Sequence, residues 1–101
     1  MVYKLAWKKE AESDFADLDK SVKIKAFRQL EKIIVSPELG KELGNKFNID
    51  LTGYRKIYFN RKRYRIVYEI ERISGLIIIW GIGKRDKLKI YKLIEKRKNK
   101  E

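Results

Sequence analysis

The spacing of apolar residues divides the chain into segments of two periods. Across residues 2 to 8, Tyr3, Leu5 and Trp7 alternate with other side chains, the pattern of a strand with one buried face. The period then lengthens. Ala11, Phe15 and Leu18 recur at helical spacing, and Ala26, Phe27, Leu30, Ile33 and Ile34 form the stripe of a second helix beginning after Ser21, a suitable N-cap. Ser36-Pro37 ends this helical pair, since proline has no N–H to extend it.

Residues 36 to 53 hold the only proline and three of the six glycines, and they read as a long tethered loop anchored by Leu39, Leu43, Phe47 and Leu51. Three strands follow at 54 to 60, 63 to 71 and 76 to 83, joined by turns at Asn60-Arg61-Lys62 and Arg72-Ile73-Ser74-Gly75 as an antiparallel meander. Leu76 to Trp80 is apolar at both parities, as in a strand covered on both faces. Asp86 is placed to cap a final helix reaching about Arg97. The expected fold class is α+β: a single domain over residues 1–101, with a twisted antiparallel sheet, two N-terminal helices on one face and a C-terminal helix.

Alternation also assigns faces. Tyr64, Ile66, Tyr68 and Ile70 point to the core with Ile57 and Phe59, which turns Lys56, Tyr58 and Arg65 outward together. In the last strand, constant parity sends Ile77, Ile79, Gly81, Gly83 and Arg85 outward and Ile78, Trp80 and Ile82 toward the helices. Gly81 and Gly83 either clear a hollow where a phosphodiester or base can approach, or mark a bulge or strand end.

Charge changes the picture from fold to function. The chain carries a formal net charge of +12, which costs self-repulsion and is usually explained by a polyanionic partner, although a thermophilic or coding bias toward lysine gives the same total. Its distribution favours a binding site: residues 9 to 20 hold five acids and two bases, whereas residues 53 to 65 hold six bases and no acid. The absence of cysteine and histidine removes disulfides, thiolate nucleophiles and zinc ribbons, so no metal or cofactor is expected. The N-terminal stretch lacks the apolar run of a signal peptide and no segment is long enough to span a membrane, which points to the cytoplasm and no membrane partner.

Lys56, Arg65 and Arg85, one from each strand of the meander, therefore converge on one face and can hold phosphate oxygens. Tyr58, Lys62, Arg63, Lys84 and Lys87 are further candidates for RNA contact. Tyr91 on the last helix can stack on a base, or it can belong to the apolar stripe of Ile90 and Ile94. Cleavage demands more than binding, because the attacking 2′-hydroxyl must lose a proton and the leaving 5′-oxygen must gain one. Without histidine, a lysine whose pKa is lowered by crowded cations is one available base.

The run Tyr64-Arg65-Ile66-Val67-Tyr68-Glu69-Ile70, then Gly83-Lys84-Arg85-Asp86 and Ile90-Tyr91, resembles the C-terminal half of RelE-type toxins of the RelE/ParE superfamily. Leu51-Thr52-Gly53-Tyr54-Arg55-Lys56 adds to the likeness, which covers roughly residues 50 to 97. The resemblance implies a RelE-like microbial RNase fold and a type II toxin that cuts mRNA in the ribosomal A site, leaving a 2′,3′-cyclic phosphate without metal. It implies Arg65 and Arg85 as phosphate ligands, Lys56 as an acid/base or electrostatic group, Tyr91 as a nucleotide-orienting ring, and a cognate antitoxin with an acidic or amphipathic segment as partner. A second family lysine falls at Tyr58, so a proton-transfer role there passes to the phenol, or to Lys62 or Arg63. Two other readings stay open: a ParE-type inhibitor of DNA gyrase on the same scaffold, and a non-catalytic RNA-binding module.

Overall fold

The two faces of one five-stranded sheet are covered by different helices. The computed structural model describes residues 3–46, 48–85 and 89–100. In chain order the elements are β1 (Lys4–Trp7), α1 (Lys9–Ala16), α2 (Lys20–Val35), a short 3-10 turn (Pro37–Leu39), β2 (Lys41–Lys46), β3 (Ile49–Phe59), β4 (Tyr64–Glu71), β5 (Leu76–Lys84) and α3 (Lys89–Asn99). The strands lie in the order β1-β5-β4-β3-β2.

The α+β class and the antiparallel β3-β4-β5 meander are as expected, but the sheet is mixed, because β1 runs parallel to β5 from Lys4 opposite Leu76 to Trp7 opposite Ile79. The helical pair between β1 and the rest of the chain supplies the crossover that a parallel neighbour requires. Helix α2 starts at Lys20 with Asp19 as its N-cap, earlier than the Ser21 cap that the sequence suggested.

The expected long loop is largely β-structure. Residues 41 to 46 form β2, and β3 begins at Ile49, five residues before the predicted start. Gly44, at φ 61°, and the register shift between Glu42 and Gly44 bend this hairpin, so its glycines mark irregularities within strands and not the absence of strands. Of the proposed anchors, Leu43 and Leu51 are buried, Leu39 is exposed and Phe47 lies outside the described residues. Gly40 sits against Tyr68, whose hydroxyl accepts the Gly40 N–H at 2.8 Å and donates to the Pro37 carbonyl at 2.6 Å. An added Cβ at Gly40 would meet that hydroxyl at 2.5 Å and the Lys56 carbonyl at 2.8 Å, so only glycine fits there.

On one face, Ala11, Val22, Ala26, Leu30 and Ile33 of α1 and α2 pack against Phe59, Ile66, Tyr68, Ile77, Ile79 and Ile82. Phe27, assigned to this stripe from its spacing, is instead 52% exposed. On the other face, Ile90, Tyr91 and Ile94 of α3 pack against Tyr54, Val67 and Trp80. The constant parity expected for β5 fails for a local reason: Val67 pairs with Gly81 but Tyr68 pairs with Ile79, leaving Trp80 as the extra residue of a bulge. Ile77 and Ile79 consequently face α1 and α2, and Ile78 and Trp80 share the α3 side with Gly81 and Gly83.

Past Ile79, the edge of β5 no longer has β1 as a neighbour. Asp14 of α1 accepts the Ile82 N–H at 3.0 Å, and Arg97 of α3 donates to the Trp80 carbonyl at 2.9 Å. The same two side chains form an ion pair with contacts of 2.7 and 3.1 Å. One charged pair thus satisfies the open strand edge and ties α1, β5 and α3 together.

Candidate nucleic-acid interface

Cross-strand register builds the site. Tyr58 lies opposite Arg65, and Arg65 lies opposite Gly83, so the three strands present one continuous row on the α3 side. Lys56, two residues before Tyr58, shares its face, and its ammonium donates to the Tyr58 hydroxyl at 2.7 Å. The Arg85 guanidinium lies 4.8 Å from the centre of the Tyr58 ring. Arg65 stands between two phenols, 5.5 Å from the Tyr58 ring and 4.7 Å from the Tyr91 ring. Lys56, Tyr58, Arg65, Arg85 and Tyr91 are therefore brought together.

The cluster is electrostatically one-sided. Three cations surround Tyr58, and cation–π contacts offset part of their mutual repulsion. The hydrogen bond from Lys56, helped by the positive charges of Lys56, Arg65 and Arg85 and opposed by burial, holds the Tyr58 phenol below its ordinary range. Arg65 is only 3% exposed, and its Nε and Nη1 groups are buried without a hydrogen-bond partner among the described residues. Buried donors are nearly always satisfied, and an unsatisfied one costs about 1–3 kcal/mol, more when charged.

Tyr91 serves both roles weighed for it: it is 3% exposed within the α3 packing, and its ring covers the Arg65 guanidinium. Gly81 and Gly83 do not open a hollow for a ligand in this structure. A Cβ at Gly81 would lie 2.8 Å from both Arg97 Nη1 and Ile94 Cδ1, and one at Gly83 would lie 3.2 Å from Ile90 Cδ1, so the glycines make room for α3.

The remaining candidates are scattered. Lys62 and Arg63 are exposed at the β3-β4 tip, where Asn60, Arg61 and Lys62 have successive φ values of 52°, 57° and 64°. This left-handed backbone is unusual for residues with a side chain. It is held by the Lys25 ammonium on the Asn60 side-chain oxygen at 3.0 Å and by the Arg63 N–H on the Asn60 carbonyl at 3.1 Å. The Arg85 N–H donates to the Arg63 carbonyl at 2.8 Å, which sets this basic tip beside the cluster. Lys84, opposite Tyr64, projects from the other face and lines a depression with Asp14, Asp17 and Asp19. It is therefore not brought to the Arg65 cluster. Lys87 and the expected cap Asp86 lie outside the described residues.

Sequence reasoning missed Asp14 and Arg97, although a signal was present. Asp14 falls at helical spacing with Ala11 and Leu18, and Arg97 with Ile90 and Ile94. A charge in an apolar stripe implies a partner, because ions are rarely buried alone. Among the described residues, no cluster of three or more acids could hold a metal ion, and no helix is long and apolar enough to cross a membrane.

Comparison with known proteins shows the family of the whole chain. A family model described as ParE toxin of type II toxin-antitoxin system, parDE, matches residues 5–88. The chain belongs to this toxin family. It is a type II toxin of the RelE/ParE superfamily, and the solved structures it resembles share the fold at low identity. A mutant of E. coli toxin RelE in the free state superposes with a TM-score of 0.78 at 21% identity, covering 96% of this chain and 98% of that one. The RelBE2 toxin-antitoxin complex from Mycobacterium tuberculosis gives 0.67 at 20% identity, covering 84% and 100%. The archaeal RelE-RelB complex from Pyrococcus horikoshii gives 0.62 at 15% identity, covering 86% and 99%. No curated protein matches the sequence.

Proposed function

We propose that this toxin is a cytoplasmic endoribonuclease that cuts mRNA in the ribosomal A site, by attack of a ribose 2′-hydroxyl on its own 3′-phosphate and without a metal ion. The observation that carries the reading is Arg65, a buried guanidinium with two donors unspent in a cluster of cations and phenols. Once the Tyr91 ring over Arg65 gives way, a phosphodiester supplies the acceptors those donors lack, and its charge offsets the repulsion among Lys56, Arg65 and Arg85. Arg65 and Arg85 then stabilise the negative charge that grows on the pentacoordinate phosphorus, where one well-placed donor is commonly worth about 100-fold to 1,000-fold in rate. Lys56 adds positive charge beside the reacting atoms, and Tyr91 orients the nucleotide through its ring.

The partner of the uncommitted toxin is a cognate antitoxin with an acidic, amphipathic segment. A relative was solved with an antitoxin peptide, E. coli toxin RelE at 21% identity. In this chain Ile24, Phe27, Val35 and Leu39 are exposed along α2 and the following turn, beside Lys23, Arg28 and Lys32 and one acid, Glu31, a surface apolar and net basic enough to take such a segment.

Gyrase inhibition is the second reading, and the match to the ParE toxin model favours it. Primer extension on an mRNA in a purified translation system separates the two. The expected result is cleavage that requires ribosomes and falls by about 100-fold or more in Arg85→Ala. Intact mRNA together with relaxed or broken DNA in a gyrase assay would overturn the nuclease reading. RNA binding with neither activity would leave a binding module.

A further inference from the structure

The proposed cleavage needs a group that takes the proton of the 2′-hydroxyl, and the cluster contains few. The chain has no histidine and no cysteine. Among the described contacts, no carboxylate is hydrogen-bonded or ion-paired to Lys56, Tyr58, Arg65 or Arg85. Guanidiniums stay protonated at any working pH. Among the described residues of the cluster, that leaves Lys56 and the phenols. Tyr91, on the inner side of α3, is buried, whereas Tyr58 is only partly buried.

We propose that the phenolic oxygen of Tyr58, held at 2.7 Å by the Lys56 ammonium and faced by the Arg65 and Arg85 guanidiniums, is the proton acceptor for the ribose 2′-hydroxyl. The inference rests on the nuclease reading and names the base within it. An ammonium donating to a phenolic oxygen favours the phenolate, and the two guanidiniums act in the same sense, so the surroundings favour proton acceptance at Tyr58 more than those of an isolated tyrosine do.

The step balances within the pair. The 2′-hydroxyl proton passes to the phenolate oxygen as the O2′–P bond forms. The P–O5′ bond breaks, and the departing O5′ takes a proton from the Lys56 ammonium. The product state holds a neutral phenol and a neutral amine in hydrogen-bond contact, and transfer of the phenolic proton to the amine restores the starting pair. No net proton is taken up or lost.

Two measurements on the full chain test this. In ultraviolet difference titration against Tyr58→Phe, wild type should show one tyrosine ionising below the ordinary range, and Lys56→Met should move that ionisation back up. In single-turnover cleavage on ribosomes, Tyr58→Phe should slow the reaction by about 100-fold or more, without a comparable loss of ribosome affinity. Because the acceptor is the deprotonated phenol, the rate rises with pH through the phenol's pKa. A more acidic 3-fluorotyrosine at position 58 should therefore shift that limb to lower pH. A limb that does not move, or Tyr58→Phe cleaving at the wild-type rate, overturns the assignment while leaving the nuclease reading intact. Intact mRNA with wild type removes both.

Discussion

Arg65 and Arg97 are two guanidiniums on the α3 side of the same sheet, and they are satisfied to opposite degrees. Arg97 reaches both carboxylate oxygens of Asp14 and the Trp80 carbonyl within 3.1 Å, in a pair whose side chains are 11% and 18% exposed. Arg65 is more deeply buried, yet it lies against aromatic faces, and among the described residues two of its donors have no acceptor. Burial of a cation is thus not by itself the sign of a site. The first guanidinium completes the architecture by closing a strand edge, and the second keeps hydrogen-bonding capacity that the fold does not use.

The sharpest way to test this contrast is to remove each charge in turn. Arg65→Met should lower mRNA cleavage by about 1,000-fold, the loss expected for a donor aimed at developing phosphate charge. Its melting temperature should hold or rise, since the substitution deletes unpaired buried donors. A fall in stability with cleavage intact would make Arg65 a structural residue. Arg97→Met should act the other way, costing about 3 kcal/mol in denaturant unfolding because it strands a largely buried carboxylate. The double variant Asp14→Leu/Arg97→Met should recover part of that loss, which a double-mutant cycle would measure as coupling. The smallest effect is expected from Gly81→Ala, whose Cβ meets the ends of Arg97 and Ile94 at 2.8 Å. These ends can shift, so a loss of about 1 kcal/mol is expected in the same unfolding assay.

Much of the candidate site was legible because it is built from neighbouring antiparallel strands. Alternation in two strands joined by a short hairpin fixes which side chains meet, so Lys56, Tyr58 and Arg65 could be grouped from their positions and are adjacent in register. The β5 face was misread below Gly81, because a bulge inserts one residue and reverses parity, which periodicity alone does not reveal. β2 was missed for a related reason: Gly40 and Gly44 punctuate the segment like a loop, while main-chain pairing with β3 makes it a strand.

Local periodicity and short connections were enough to read the helical pair, the meander and the basic row across it, whereas they left Tyr91 between the apolar stripe and a nucleotide contact. Tertiary structure alone decided that β1 lies parallel beside β5, that α3 fills the space over Gly81 and Gly83, and that Tyr91 covers Arg65. It also decided the meeting of Asp14 with Arg97 across 83 residues. Local propensity does not encode such contacts; they form when burying the remaining apolar faces brings distant elements together, and only then does a buried charge acquire its partner or go without one.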